Sequence, residues 1–170
     1  MKILFALFLL FLIFVFPQNI GAQELTRLQI FFYEIDEEGE EALNYYHITI
    51  PARLSVEHRA LVIFSEIFDN FNPGKMIYVP PDVRILDIFF HAEYAHLILN
   101  LSADILNYGG THFEYRLINK LLINAAGIEE VGYFSVWIDG QRRYFPEGTE
   151  ILNNSLALFN CPRIKISLPF

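Results

Sequence analysis

The chain has 170 residues, with 12 Lys and Arg against 20 Asp and Glu and a formal net charge of −8. That charge repels phosphate backbones and anionic membrane surfaces, so nucleic acid is not an expected partner. Cys161 is the only cysteine and rules out an intrachain disulfide, leaving stability to packing, for which 17 Phe and 9 Tyr supply material.

Met1 and Lys2 precede an unbroken apolar run from Ile3 to Phe16. The run is shorter than the roughly 20 residues of a spanning helix and matches a secretory h-region. Pro17 breaks it, and Ala22 before Gln23 and Glu24 predicts a signal peptide over 1–22. Retained uncleaved, this leader would be the one link to a membrane. The rest has the length of a single domain, assigned to 23–150, with a C-terminal extension over 151–170.

Residues 28–35 and 45–50 have strand composition, and the acidic residues 36–41 predict a long solvated connection between them, with Pro51 closing the hairpin. Ser55 as cap and Glu57 in the first turn predict a helix to about Phe71, stopped by Asn72, Pro73 and Gly74. Its apolar stripe is Ala60, Leu61, Phe64, Ile67, Phe68 and Phe71. Pro80 and Pro81 lead rigidly to a strand over 83–90, which should pair with another over 96–102. Gly109 and Gly110 release the chain into Thr111, and Glu114 has capping-box spacing from it, predicting a second helix. Phe113, Leu117, Ile118, Leu121, Leu122 and Ala125 form its buried face, and Gly127 provides a left-handed stop. A strand over 131–138, an Asp139–Gly140 turn into 141–145 and a short strand over 164–168 complete the order. Hairpins interrupted by two amphipathic helices predict an α+β two-layer sandwich, a mainly antiparallel sheet with both helices on one face.

No catalytic constellation is visible. His91, Glu93 and His96 are ligand types without the His-Glu-x-x-His order, on a predicted turn, so no metal is expected. Gly109 and Gly110 precede a helix, but no phosphate-loop Lys follows, and no cofactor is expected. No serine stands in a Gly-x-Ser-x-Gly elbow, and Cys161 has no nucleophile context. Asp87, Glu93 and Asp104 would serve a glycosidase only by facing one another across a cleft. Asn100 and Asn153 each open an Asn-x-Ser glycan-acceptor pattern, a motif that arises often by chance.

From about Leu61 to Gly140 the chain resembles the GerMN domain family of sporulation and germination proteins. The resemblance is carried by the helix around 60–71, the Pro-rich residues 79–86 leading into a strand, and the hairpin ending at 97–102. It continues through Gly109, Gly110, Thr111 and Glu114 at the second helix, then Gly127, Val131 and the strand ending at Ile138, Asp139 and Gly140. The chain differs from that family in having length for one such domain where two are common, and in lacking a cysteine for lipid attachment. It also carries residues 121–126 where the family has small residues and a Thr-Leu pair. The resemblance implies an extracytoplasmic, non-catalytic association module tied to sporulation or envelope assembly, whose partners are envelope or secreted proteins or further copies of itself. The candidate interaction surface is Tyr45, Tyr46 and Ile48 on the second strand with Tyr133 and Ser135 on the fifth, while Trp137 beside them is expected in the core. The alternative is a cell-wall glycan or peptide binder using Tyr45, Tyr46, Tyr108 and Tyr115 as stacking platforms. A hydrolase is the third reading.

Overall fold

The acidic segment does more than connect two strands. In the computed structural model, which describes residues 24–68 and 77–157, β1 (Leu25–Ile35) pairs antiparallel with β2 (Glu41–Pro51) along their full length. The Asp36 carboxylate accepts the N–H groups of Glu38 and Glu40 at 2.9 and 2.8 Å, and Gly39 turns the chain with φ +84°. Asp36 thus organises the turn that its neighbours keep in water.

Helix α1 (Val56–Phe68) starts where expected, with the Ser55 hydroxyl accepting the His58 N–H at 3.3 Å. Its buried face is Val56, Ala60, Ile63, Phe64, Ile67 and Phe68. Leu61, expected in that stripe, is exposed, and Ile63 takes its place in the core. The predicted leader, the helix end beyond Phe68 and the strand over 164–168 lie outside the described residues. Among the described residues no helix is long and apolar enough to cross a membrane.

The α+β class is as expected, with the strands divided over two sheets. The second sheet has the order β3-β4-β5-β6, formed by β3 (Ile85–His91), β4 (His96–Leu101), β5 (Tyr133–Ile138) and the two-residue β6 (Asn154–Ser155). β3 and β4 form the predicted hairpin around a 3-10 turn, Ala92–Tyr94. β4 and β5 run parallel, because helix α2 (Thr111–Ala126) supplies the crossover that parallel neighbours need. Leu97, Ile98, Leu99 and Leu101 are all buried, as suits a central strand. Phe64 of α1 stacks on Phe134 of β5 at 5.7 Å in the middle of the core.

Asp139 and Gly140 take φ +50° and +74°, the mirror-image turn their sequence predicts, and close a bridge between Ile138 and Gln141. The strand expected over 141–145 does not form. Phe145 turns into the core instead, the Ile151 carbonyl takes the Val136 N–H, and β6 pairs with Tyr133 and Phe134.

The capping box at the start of α2 is replaced by a longer-range arrangement. Gly110 is the N-cap with φ +101°, and Thr111, the first helical residue, makes no cap bond. The buried Glu114 carboxylate accepts the N–H groups of Glu147 and Thr149 at 2.7 and 3.1 Å and the Tyr108 hydroxyl at 2.9 Å. Glu147 in return accepts the Gly110 N–H at 2.9 Å. Each of two acids on distant segments thus accepts backbone N–H groups of the other's segment, which ties the 145–150 loop to the helix start. Gly127 is right-handed, not left-handed, with φ −67° and ψ −13°. Its lack of a side chain serves packing: a Cβ would sit 3.2 Å from the Asn124 carbonyl oxygen and 3.8 Å from that of Gln29 on β1.

The side chain of Asn124 joins helix α2 to the backbone of β1. Asn124, fully buried, accepts the Phe31 N–H through Oδ1 at 2.9 Å, and its Nδ2 donates to the Phe31 and Lys120 carbonyls at 2.9 and 2.8 Å. Asn124→Ala strands both Phe31 backbone groups in the interior and should cost about 3 kcal/mol, read as a lower urea midpoint with unchanged m-value. Glu114 gives a pH signature. Burial pushes its carboxyl up, and the bonds from Thr149, Glu147 and Tyr108 outweigh that, holding it below the usual carboxylate range. Its stabilisation is therefore fully present above the ordinary value of 4.5 and lost as the pH falls through the lower folded-state value. The gap in unfolding midpoint between wild type and Glu114→Gln should be constant well above the ordinary value of 4.5 and narrow as the pH falls below it.

Candidate functional site

Cys161 lies outside the described residues, and the other polar groups that sequence reading singled out have definite places. Tyr45 is half exposed on β2, tilted against Phe31 at 5.9 Å and edge-on to His47 at 5.5 Å. Tyr46 and Ile48 alternate to the opposite side and pack against the core. The Tyr46 hydroxyl donates to Glu66 at 2.5 Å; burial first and then that carboxylate push the phenol well above its ordinary range. Tyr133 is exposed, whereas Ser135 is fully buried and presents no surface. Trp137 is half-buried.

The backbone of β2 is set by the Asn124 contact. Since the Phe31 N–H and C=O point at Asn124, Phe31 and its opposite residue Tyr45 form a non-hydrogen-bonded pair. The backbone groups of Leu43, Tyr45, His47 and Thr49 therefore point away from β1. Both helices pack against β1, and among the described residues no strand pairs with the outer edge of β2.

Ser135 Oγ lies 2.9 Å from His96 Nε2, the spacing of a nucleophile and its base. The hydroxyl has no access to a substrate and instead accepts the Asn153 N–H at 2.8 Å, holding β6 to β5. Burial, then His91 and Arg142, push the His96 imidazole below its ordinary value. The His91 and His96 rings are 6.4 Å apart, and among the described residues no group of three or more His, Cys, Asp or Glu side chains gathers as metal ligands. Of the acids, Asp87 accepts the Ile88 N–H on β3 and Asp104 accepts the Ser102 hydroxyl at the far end of β4. Glu93 sits on the turn at the hairpin's other end. Asn100 accepts the Gly140 N–H and Ser102 is buried, so the first glycan-acceptor pattern is built into the fold.

Sequence reading missed a polar cluster at the turn end of the β1–β2 hairpin. Glu41 accepts the Tyr78 hydroxyl at 3.1 Å, lies 3.3 Å from His112 Nε2 and pairs with Arg116 Nε at 2.6 Å. Arg116 also covers the Tyr33 ring at 4.9 Å. Burial, then Glu41, push the Tyr78 hydroxyl above its ordinary value. One helical turn on, Lys120 is buried and donates to the Ile77 carbonyl at 2.5 Å; burial lowers its pKa to about 8. The signal in the sequence was the four-residue spacing of His112, Arg116, Lys120 and Asn124, which places them on one face of α2.

A shallow groove of about 270 Å³ opens between α1 and β3, lined by Glu57, His58, Leu61, Leu86, Asp87 and their neighbours. The tyrosines proposed as a glycan platform divide their roles. Tyr108 stacks on Phe113 at 4.6 Å and serves Glu114, while Tyr45 and Tyr115 stay exposed on separate elements.

No protein-family model matches the chain, and no curated protein matches it in sequence. Solved structures do. The first GerMN domain of the sporulation protein GerM from Bacillus subtilis is similar at TM-score 0.50 and 18% identity, over 75% of this chain and 96% of that one. The tandem GerMN domains of the same protein give TM-score 0.50 and 18% identity over 76% of this chain, which spans 46% of the tandem pair. A Clostridium perfringens protein assigned to the lipoproteins gives TM-score 0.50 and 13% identity, over 76% of this chain and 86% of that one. With the element order and both helices in place, the chain has the fold of a GerMN domain.

Proposed function

We propose that the chain is an extracytoplasmic association module of the GerM kind, binding envelope or secreted proteins without turning over a substrate. The likeness to nearly the whole of the first GerMN domain of a sporulation protein carries this reading. The Clostridium perfringens lipoprotein neighbour supports a location at the envelope. The apolar run at 3–16 supports export by a leader. Two features of the chain agree with binding rather than catalysis. The Ser135–His96 pair is closed to a substrate, and the Glu41 cluster is spent on joining the hairpin to α2. Meanwhile Leu43, Tyr45, Tyr133 and Phe89 stay exposed on strands. A part in sporulation belongs to the same proposal.

Envelope fragments incubated with the tagged chain and then sedimented should retain it, and protease treatment of the fragments beforehand should abolish retention. Retention on protein-free cell-wall sacculi at equal strength would overturn the protein-binding reading in favour of glycan recognition.

A further inference from the structure

The four strands that end a sheet in this fold differ sharply in how they are guarded. The outer edge of β1 is occupied at its middle by Asn124. β3 carries a register irregularity between Ile85 and Asp87, and the Asp87 carboxylate takes the Ile88 N–H at 2.8 Å. β6 is two residues long. Bulges, charged residues and shortness are the ordinary defences of a sheet edge against pairing with another chain. Between its terminal residues Glu41 and Pro51, β2 has none of them: from Ala42 to Ile50 it contains no Asp, Glu, Lys, Arg or Pro, and Leu43 and Tyr45 are 41% and 50% exposed.

The charges at the two ends of the hairpin select the occupant. At the turn end stand Glu34, Asp36, Glu37, Glu38 and Glu40, all exposed. At the open end stand Arg27 and Arg53, also exposed, beside Glu24. A second copy laid parallel along β2 would bring acidic turn against acidic turn. Laid antiparallel, it sets each acidic turn beside the other copy's arginines, and the two-fold axis makes that match twice.

We propose that two copies of this chain pair antiparallel along β2, joining their hairpins into one four-stranded sheet. The register that places Tyr45 opposite His47 of a second copy pairs outward-pointing backbone groups on both sides and sets the axis at Tyr46. Contact along one strand edge is at the small end of specific interfaces, so the dimer should dissociate on dilution and weaken with salt. This deepens the association reading and rests on it, but its test is independent of envelope binding: a monomer that is still retained by envelope fragments overturns the dimer alone.

The experiment is sedimentation velocity on the full chain purified after export, over a hundredfold range of concentration. Wild type should pass from monomer to dimer, and both Arg27→Glu/Arg53→Glu and Glu37→Lys/Glu38→Lys should weaken the dimer about tenfold or more. An equimolar mixture of the two variants should restore a dimer, since each then offers the charge that the other lacks. A wild type that stays monomeric throughout overturns the proposal, whether the edge is bare or covered by the chain's own tail. A dimer that ignores both charge reversals overturns it equally. Amide exchange measured by NMR gives a readout that needs no variant. The N–H groups of Leu43, Tyr45, His47 and Thr49 should gain protection with concentration while those of Asn44, Tyr46 and Ile48 stay constant; uniform behaviour of the two sets contradicts it.

Discussion

The polar stripe of α2 is the constraint on which the rest of the structure depends. His112, Arg116, Lys120 and Asn124 share one helix face and reach, in turn, Glu41 with Tyr78, Glu41 with Tyr33, the Ile77 carbonyl and the Phe31 backbone. Lys120 and Asn124 are buried, and a buried amine or amide is tolerable only with partners in place. Apolar packing would let α2 slide along β1 at little cost. Directional bonds to Phe31 allow one position, and a helix held there also fixes the crossover between β4 and β5.

The same stripe explains why one sheet became two. Two residues of the stripe reach β1, Arg116 over the Tyr33 ring and Asn124 on the Phe31 backbone. With Asn124 on the Phe31 backbone, β1 cannot continue its ladder into another strand there. The hairpin therefore stands as a separate two-stranded sheet, and the apolar residues Leu28, Ile30 and Ile50 join the core beside α1.

Features written in adjacent residues were legible in the sequence. The Asp139–Gly140 turn, the Ser55 cap and the β3–β4 hairpin are decided within a few residues, where left-handed backbone and hydroxyl capping leave a signature. The failures share a cause: a partner far along the chain outcompeted a local one. Thr111 and Glu114 have capping-box spacing, yet Glu147 arrives from a later loop and takes that role, leaving Glu114 to hold the loop itself. Residues 141–145 follow a sound hairpin turn, yet burying Phe145 outweighs extending the ladder. The site was legible to the same degree. Tyr45, Tyr46 and Ile48 were read as one surface, which strand alternation divides by turning Tyr46 and Ile48 onto the core, and nothing near Ser135 announced that Asn153 and His96 would bury it. The α2 stripe was visible as a spacing, but polar residues on one helix face ordinarily read as the wet side.

A two-stranded hairpin is at best marginally stable in water and relies on what it packs against. Here the support is one-sided. β1 has Asn124 at its edge and both helices against it, while β2 is held by β1 and by the contacts of Tyr46 and Glu41 with Glu66, Tyr78 and Arg116. Among the described residues no strand takes up the outer backbone groups of β2, so its ladder is complete on the β1 side alone. Any strand that pairs with β2 supplies the missing side, so association at this edge and order within the hairpin are thermodynamically linked. The uncharged stretch from Ala42 to Ile50 then has a physical rationale. A lysine or glutamate there would guard the edge at no cost to the core, and its absence leaves β2 as the strand through which another chain can stabilise this one.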